Sequence, residues 1–226
     1  WKPTSETSNI NKNAGVSPVK VSKELFNLIQ RALQISNLTD GAFDISYASM
    51  DKLWKYDGSM TQMPSKEAIK KSVAKVGYQD IVVDPQNSTV FLKNKGMKIG
   101  FGAIGKGYAA DKAKKLLISN GVSGGIINAS GDINSWGSKP SGSSWQVAIT
   151  NPLNKNKAFA MLPIKDAVVT SGNYEKYVTF NSRRYSHIID PRTGYPSQGI
   201  ISVTVFAPKA ELADALATSV FVMGTE

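Results

Sequence analysis

Behind Ser22, a residue suited to an N-cap, apolar side chains recur at three- and four-residue intervals through Leu25, Leu28, Ile29, Ala32 and Leu33. This spacing predicts an amphipathic helix over 22–36. The polar residues 1–19, with Pro3 and Pro18, read as an irregular lead-in. After the Asp40-Gly41 turn, Ser46–Tyr56 carries a weak helical pattern. Ser65–Val76 carries a stronger one, with Ile69, Val73 and Val76 on one face and Gly77 as the stop. Ile81–Val83 and Val90–Leu92 flank a turn-rich stretch beginning Asp84-Pro85 and predict a hairpin. Met97–Gly100 reads as a strand leading through a glycine-rich turn into a helix from about Gly107 to Asn120, with Ala109, Ala113, Leu116 and Leu117 inward.

Further strands are predicted at Gly124–Asn128, Trp145–Thr150, Ala158–Pro163, Ala167–Thr170, Tyr177–Phe180 and Ile200–Phe206, and a helix at Glu211–Met223. Runs of strands broken by occasional helices predict an α+β fold, with mixed or antiparallel sheets and packed helices, rather than a doubly wound sheet. No internal repeat or low-complexity linker divides the chain, so residues 1–226 read as one compact domain.

Composition narrows the chemistry. The 226 residues hold no cysteine, which excludes disulfides, thiolate metal sites and cysteine nucleophiles. No apolar run approaches the ~18 residues of a membrane helix. A net charge of +10 favours anionic partners. The lysines are dispersed and lack the aromatic interleaving of a single-strand binder, so nucleic acid is not an expected partner.

Five stretches could carry chemistry. Gly100, Gly102, Gly105 and Gly107 lie between a predicted strand and a predicted helix, where backbone amides could cradle a phosphate. The same glycines could simply make a tight strand-to-helix turn. Lys106 is followed by Gly107, which excludes a Walker loop, and no βαβ series follows to support a dinucleotide fold. The one histidine, His187, stands ahead of Asp190-Pro191-Arg192-Thr193-Gly194, either as a proton acceptor or as a turn residue. Asp214 and Thr218, four apart on the last helix, offer an oxygen pair suited to Mg²⁺, or a first-turn acid with a packing threonine. Gly41–Asp44 and Asn128–Asp132 join acids to turns and read equally as turn chemistry.

Taken in order, these stretches and Thr170–Tyr174 resemble the ApbE family of FAD:protein FMN transferases over nearly the whole chain. The most specific pieces are G-x-x-G-K-G-Y-A-x-D at Gly102–Asp111, H-x-x-D-P-x-T-G at His187–Gly194 and D-A-x-A-T at Asp214–Thr218. The resemblance implies an α+β core that binds FAD as substrate with Mg²⁺ at its pyrophosphate. Mg²⁺ would be held by the Ala103 carbonyl, Asp214 and Thr218. FAD contacts are implied for Ala42, Phe43, Asp44, Gly102, Lys106, Ile188, Asp190 and Thr193. His187 is the expected catalytic base.

The implied reaction is Mg²⁺-dependent transfer of FMN from FAD to a Ser or Thr hydroxyl of an acceptor flavoprotein, with AMP released. FAD hydrolysis to FMN and AMP, or flavin binding without turnover, are the alternatives. Gly100 departs from the family's usual Asp at that position. The resemblance also implies further sequence beyond both ends of this chain. It further implies a place in the periplasm or on the outer face of the bacterial inner membrane, with any membrane attachment through a lipid anchor outside these residues.

Overall fold

The computed structural model describes residues 2–174 and 176–225, excluding the side chain of Lys155. In chain order the elements are α1 (Glu6–Lys12), β1 (Val19–Lys20), α2 (Lys23–Leu38), α3 (Lys66–Val73), β2 (Ile81–Asp84), β3 (Thr89–Leu92), α4 (Gly105–Ser119), β4 (Gly125–Ala129), β5 (Asp132–Trp136), β6 (Trp145–Asn151), β7 (Asn154–Ile164), β8 (Ala167–Gly172), β9 (Tyr177–Phe180), β10 (Arg183–Ser186), β11 (Ser202–Ala207) and α5 (Ala210–Met223). Two 3₁₀ turns lie at Ile45–Ser49 and Tyr78–Asp80. Among the described residues every pairing between these strands is antiparallel, so the fold is α+β as the strand-rich pattern predicts. No helix is long and apolar enough to cross a membrane among those residues.

The chain divides into two compact units, Trp1–Phe101 with Lys176–Gln198, and Gly102–Glu175 with Gly199–Glu226. In the first, the 22–36 expectation becomes α2, capped by the Ser22 hydroxyl and burying Phe26, Leu28, Ile29, Ala32 and Ile35. The irregular lead-in is corrected. Ser5 caps α1 by accepting the Ser8 amide, and Glu6 stands in its first turn. Only Ile10 of this helix is buried, so apolar periodicity gave no signal.

The predicted helix at 46–56 shrinks to the 3₁₀ turn, because Asp44 caps it at once and Met50 returns to an extended backbone. The expected strand at Met97–Gly100 has no ladder. Met97 and Ile99 are buried, while Ile99 N–H donates to Asn11 Oδ1 and Gly100 N–H to the Ile45 carbonyl, both at 2.8 Å. Strands β1, β3 and β2 form one sheet in that order, with β2–β3 the expected hairpin. Strands β9 and β10 form a second hairpin.

The second unit is built on a four-stranded sheet of order β11-β8-β5-β4. Ala210, Ala213 and Ala217 of α5 pack with Ala110 of α4 and with Ala167 and Val169 of β8. Small side chains on all three elements bring the backbones close. The predicted inner face of α4 is incorrect. Gly107 and Ala110 are its buried positions, whereas Leu116 is 62% and Leu117 38% exposed. Strands β6 and β7 form a hairpin whose Val147 and Ile164 pack on Val168 of β8.

Candidate functional site: two carboxylates at a helix start

In the second unit, α4 begins at Gly105 behind Ile104, a residue with no side-chain oxygen to cap the helix. The cap comes from elsewhere in the chain. Gly107 N–H donates to Asp214 Oδ2 of α5 at 3.1 Å. Only glycine allows this approach, since a Cβ on residue 107 would lie 2.1 Å from the Ala210 carbonyl oxygen. Beside Asp214 stands Asp132, the first residue of β5. Lys106 Nζ lies 2.5 Å from Asp132 Oδ1 and 3.8 Å from Asp214 Oδ1.

Both carboxylates are buried, Asp132 at 1% and Asp214 at 2% exposure. Burial chiefly, and then the neighbouring Asp132 charge, pushes the Asp214 carboxyl up to about 7; the Lys106 ammonium and the Gly107 amide oppose this. Asp132 Oδ2 is buried with no hydrogen-bond partner. Two buried carboxylates share one lysine, and one oxygen is left over. That is an arrangement short of positive charge.

No group of three or more His, Cys, Asp and Glu side chains gathers as a cage among the described residues. A cation here would therefore complete its shell from carbonyl, hydroxyl or substrate oxygens, a hard-oxygen environment that fits Mg²⁺. Ala103, half-buried, immediately precedes Ile104, the residue in the N-cap position of α4, and Gly102 before it is exposed. Thr218, half-buried, follows Asp214 by one turn of α5.

The first unit carries the second cluster. Gly41 adopts φ +72°, and a Cβ there would meet Tyr78 at 3.6 Å and Arg192 at 3.7 Å. Ala42 and Phe43 follow as buried side chains. Asp44 accepts Ser46 N–H at 2.7 Å on one oxygen and Tyr78 N–H at 2.9 Å on the other. Burial raises its pKa and these bonds lower it, with burial the larger effect.

In the loop 187–196, the Arg192 guanidinium grips Asp190 through two bonds of 2.9 and 3.0 Å. Thr193 Oγ1 accepts Tyr195 N–H at 3.3 Å, and Ile189 bridges Pro196. Trp54 Nε1 donates to the Gly194 carbonyl at 3.0 Å and stacks on Tyr185. Gly194, at φ +76°, leaves no room for a Cβ against Val73 and Ile69. His187 is exposed at the loop's entrance, its Nδ1 lying 3.2 Å from the Lys176 carbonyl and its ring edge-on to Tyr56. A carbonyl only accepts, so in this contact Nδ1 is the donor.

The sequence profile of the ApbE family matches residues 1–226. The chain belongs to the ApbE family. An Escherichia coli K12 relative named FAD:protein FMN transferase is 34% identical over 233 residues, a match covering 100% of this chain and 66% of that protein. The chain thus spans about two thirds of that relative. The crystal structure of an ApbE protein from Thermotoga maritima superposes with a TM-score of 0.87 at 37% identity, covering 97% of this chain and 71% of that one. The flavin transferase ApbE from Vibrio cholerae gives a TM-score of 0.88 at 28% identity, covering 100% and 73% respectively.

Within this ApbE-family chain, Lys106 and Asp214 lie 3.8 Å apart in the second unit, while in the first Asp190 and Thr193 share the loop that His187 and Ile188 enter. Sequence reasoning gave Asp132 only turn chemistry and assigned no role to Arg192 or Trp54. An acid opening a strand was the available signal for Asp132. Its pairing with Lys106, 26 residues away, left none in the local pattern.

Proposed function

We propose that this ApbE-family protein transfers FMN from FAD to a Ser or Thr hydroxyl of an acceptor flavoprotein, with Mg²⁺ bound in the second unit. The observation that carries the reading is the buried Asp132–Asp214 pair beside Lys106, with one orphaned oxygen, at the start of α4. Asp214 and Thr218, with the Ala103 carbonyl, are the expected metal ligands. Mg²⁺ bound there would neutralise the pyrophosphate and stabilise the developing charge on the leaving phosphate.

The acceptor hydroxyl oxygen attacks the FMN phosphorus and forms a new P–O bond. The pyrophosphate P–O bond breaks, AMP leaves with its electron pair, and the His187 imidazole takes the hydroxyl proton. Lys106 offers a cation to the phosphates. Ala42, Phe43, Asp44, Gly102, Ile188, Asp190 and Thr193 are the remaining FAD residues that the resemblance supports. The same resemblance supports a periplasmic or outer-face location with a lipid anchor outside this chain.

Incubation with FAD and Mg²⁺, with and without an acceptor flavoprotein domain, tests the reading. Flavin covalently attached to the acceptor, together with AMP, is the expected result. FMN and AMP released regardless of acceptor would replace transfer by hydrolysis, and unchanged FAD would reduce the protein to flavin binding.

A further inference from the structure

Helix α5 begins behind Lys209, which supplies no capping side chain. Its first two amides are instead received by α4: Ala210 N–H donates to Asp111 Oδ1 at 2.9 Å and Glu211 N–H to Asp111 Oδ2 at 3.0 Å. Asp111 Oδ1 also accepts Asn134 Nδ2 at 2.5 Å. Asn134, itself buried, is held by Lys114, whose Nζ donates to Asn134 Oδ1 at 3.0 Å and to the Ser135 carbonyl at 2.8 Å. Gly107, Asp111 and Lys114 lie at helical spacing on one face of α4, and Asp214 returns a bond to Gly107. The two helices therefore cap each other, α4 through Asp111 and α5 through Asp214.

We propose that Asp111 is a positioning residue that sets where Asp214 stands. Its two oxygens already accept three donors, so it acts through α5 and not as a ligand. Fixing residues 210 and 211 fixes the helix one turn before Asp214, and the close Gly107–Ala210 approach prevents compensating slippage. A negative charge at the start of α5 also complements the helix dipole. The inference rests on the Mg²⁺ reading above and adds a residue to it.

The test is a Mg²⁺ titration of thermal unfolding on the full chain without FAD, for the unsubstituted protein, Asp111→Ala and Asp111→Asn, with far-UV circular dichroism to check folding. The unsubstituted protein should be stabilised by Mg²⁺. In Asp111→Ala the Mg²⁺ midpoint should rise about tenfold, as for loss of a group that orients a metal ligand. Asp111→Asn keeps one acceptor oxygen and should fall between, and it decides the matter should Asp111→Ala not fold. A lowered melting temperature with an unchanged Mg²⁺ midpoint would make Asp111 a stability cap only and overturn the inference while leaving the Mg²⁺ reading intact. An unsubstituted protein indifferent to Mg²⁺ would overturn both.

Discussion

Lys106 Nζ lies 2.5 Å from Asp132 Oδ1, so a partly exposed lysine spends its charge on a carboxylate that is 1% exposed. The lysine is thereby held at the start of α4, and it is the one cation paired with Asp132 and Asp214 among the described residues. Replacing it by methionine keeps much of the stem and leaves two buried acids without a counter-charge. Lys106→Met should lose about 1–3 kcal/mol of stability in urea unfolding, less than a fully buried pair because solvent reaches the lysine. It should also weaken FAD binding in a fluorescence titration. Unchanged stability and unchanged FAD affinity would remove Lys106 from the site.

The Gly107–Ala210 approach sets a second expectation. A methyl group on residue 107 would sit 2.1 Å from a backbone oxygen, which no rotamer change relieves. Gly107→Ala should separate α4 from α5, cost about 1–3 kcal/mol by overpacking, and break the Gly107–Asp214 bond. Calorimetry would show the lowered melting temperature. Hydrogen exchange at the Ala210 and Glu211 amides should quicken, and wild-type protection there would contradict the account.

That helix pair also explains what could and could not be read along the chain. Helix α2 was legible because Ser22 caps it locally and five apolar residues face inward at helical spacing. The starts of α4 and α5 were not, since Ile104 and Lys209 are poor caps and the capping carboxylates come from residues about 100 positions away. The inner face of α4 misled for a related reason. Its contact with α5 is made by Gly107 and Ala110, which carry little hydrophobic signal, while Leu116 and Leu117 face outward. Lys106 and Asp214 in the second unit and His187 in the first were legible as motif residues. Asp132 and Asp111 depended on pairings that only the folded chain creates.

His187, the proposed proton acceptor, is exposed at the start of the loop 187–196, with Nδ1 turned to the Lys176 carbonyl. Its removal leaves that loop pinned by Trp54 to Gly194 and by Arg192 to Asp190. His187→Ala should therefore bind FAD with near-normal affinity and fold normally, while flavin transfer falls by roughly 10²–10⁴-fold, the usual range for a lost general base. Single-turnover transfer to an acceptor domain, followed by in-gel flavin fluorescence, measures it. An unimpaired rate would take His187 out of the chemistry.

The Asp214 carboxyl, pushed up to about 7 from an ordinary 3.8, gives stability a definite slope with pH. The unfolded chain releases this proton near its ordinary value, whereas the folded protein keeps it until about 7. Between those values the unfolded state gains by ionising and the folded state does not, so stability falls as pH rises and levels off above the folded pKa. Asp214→Asn removes the slope. With divalent metal chelated, the variant should be more stable than the parent by on the order of 2 kcal/mol at about pH 8, with little difference near pH 4. Magnesium bound as proposed would reverse the sign, because the cation would bind the ionised form and compete with the proton. Stabilisation of the parent by Mg²⁺ should therefore grow as pH rises through about 7, and the Asn variant should show little of it. Urea unfolding across this range, in chelator and in Mg²⁺, measures both slopes. A variant that keeps the parent's slope in chelator would assign the titration to other carboxyls.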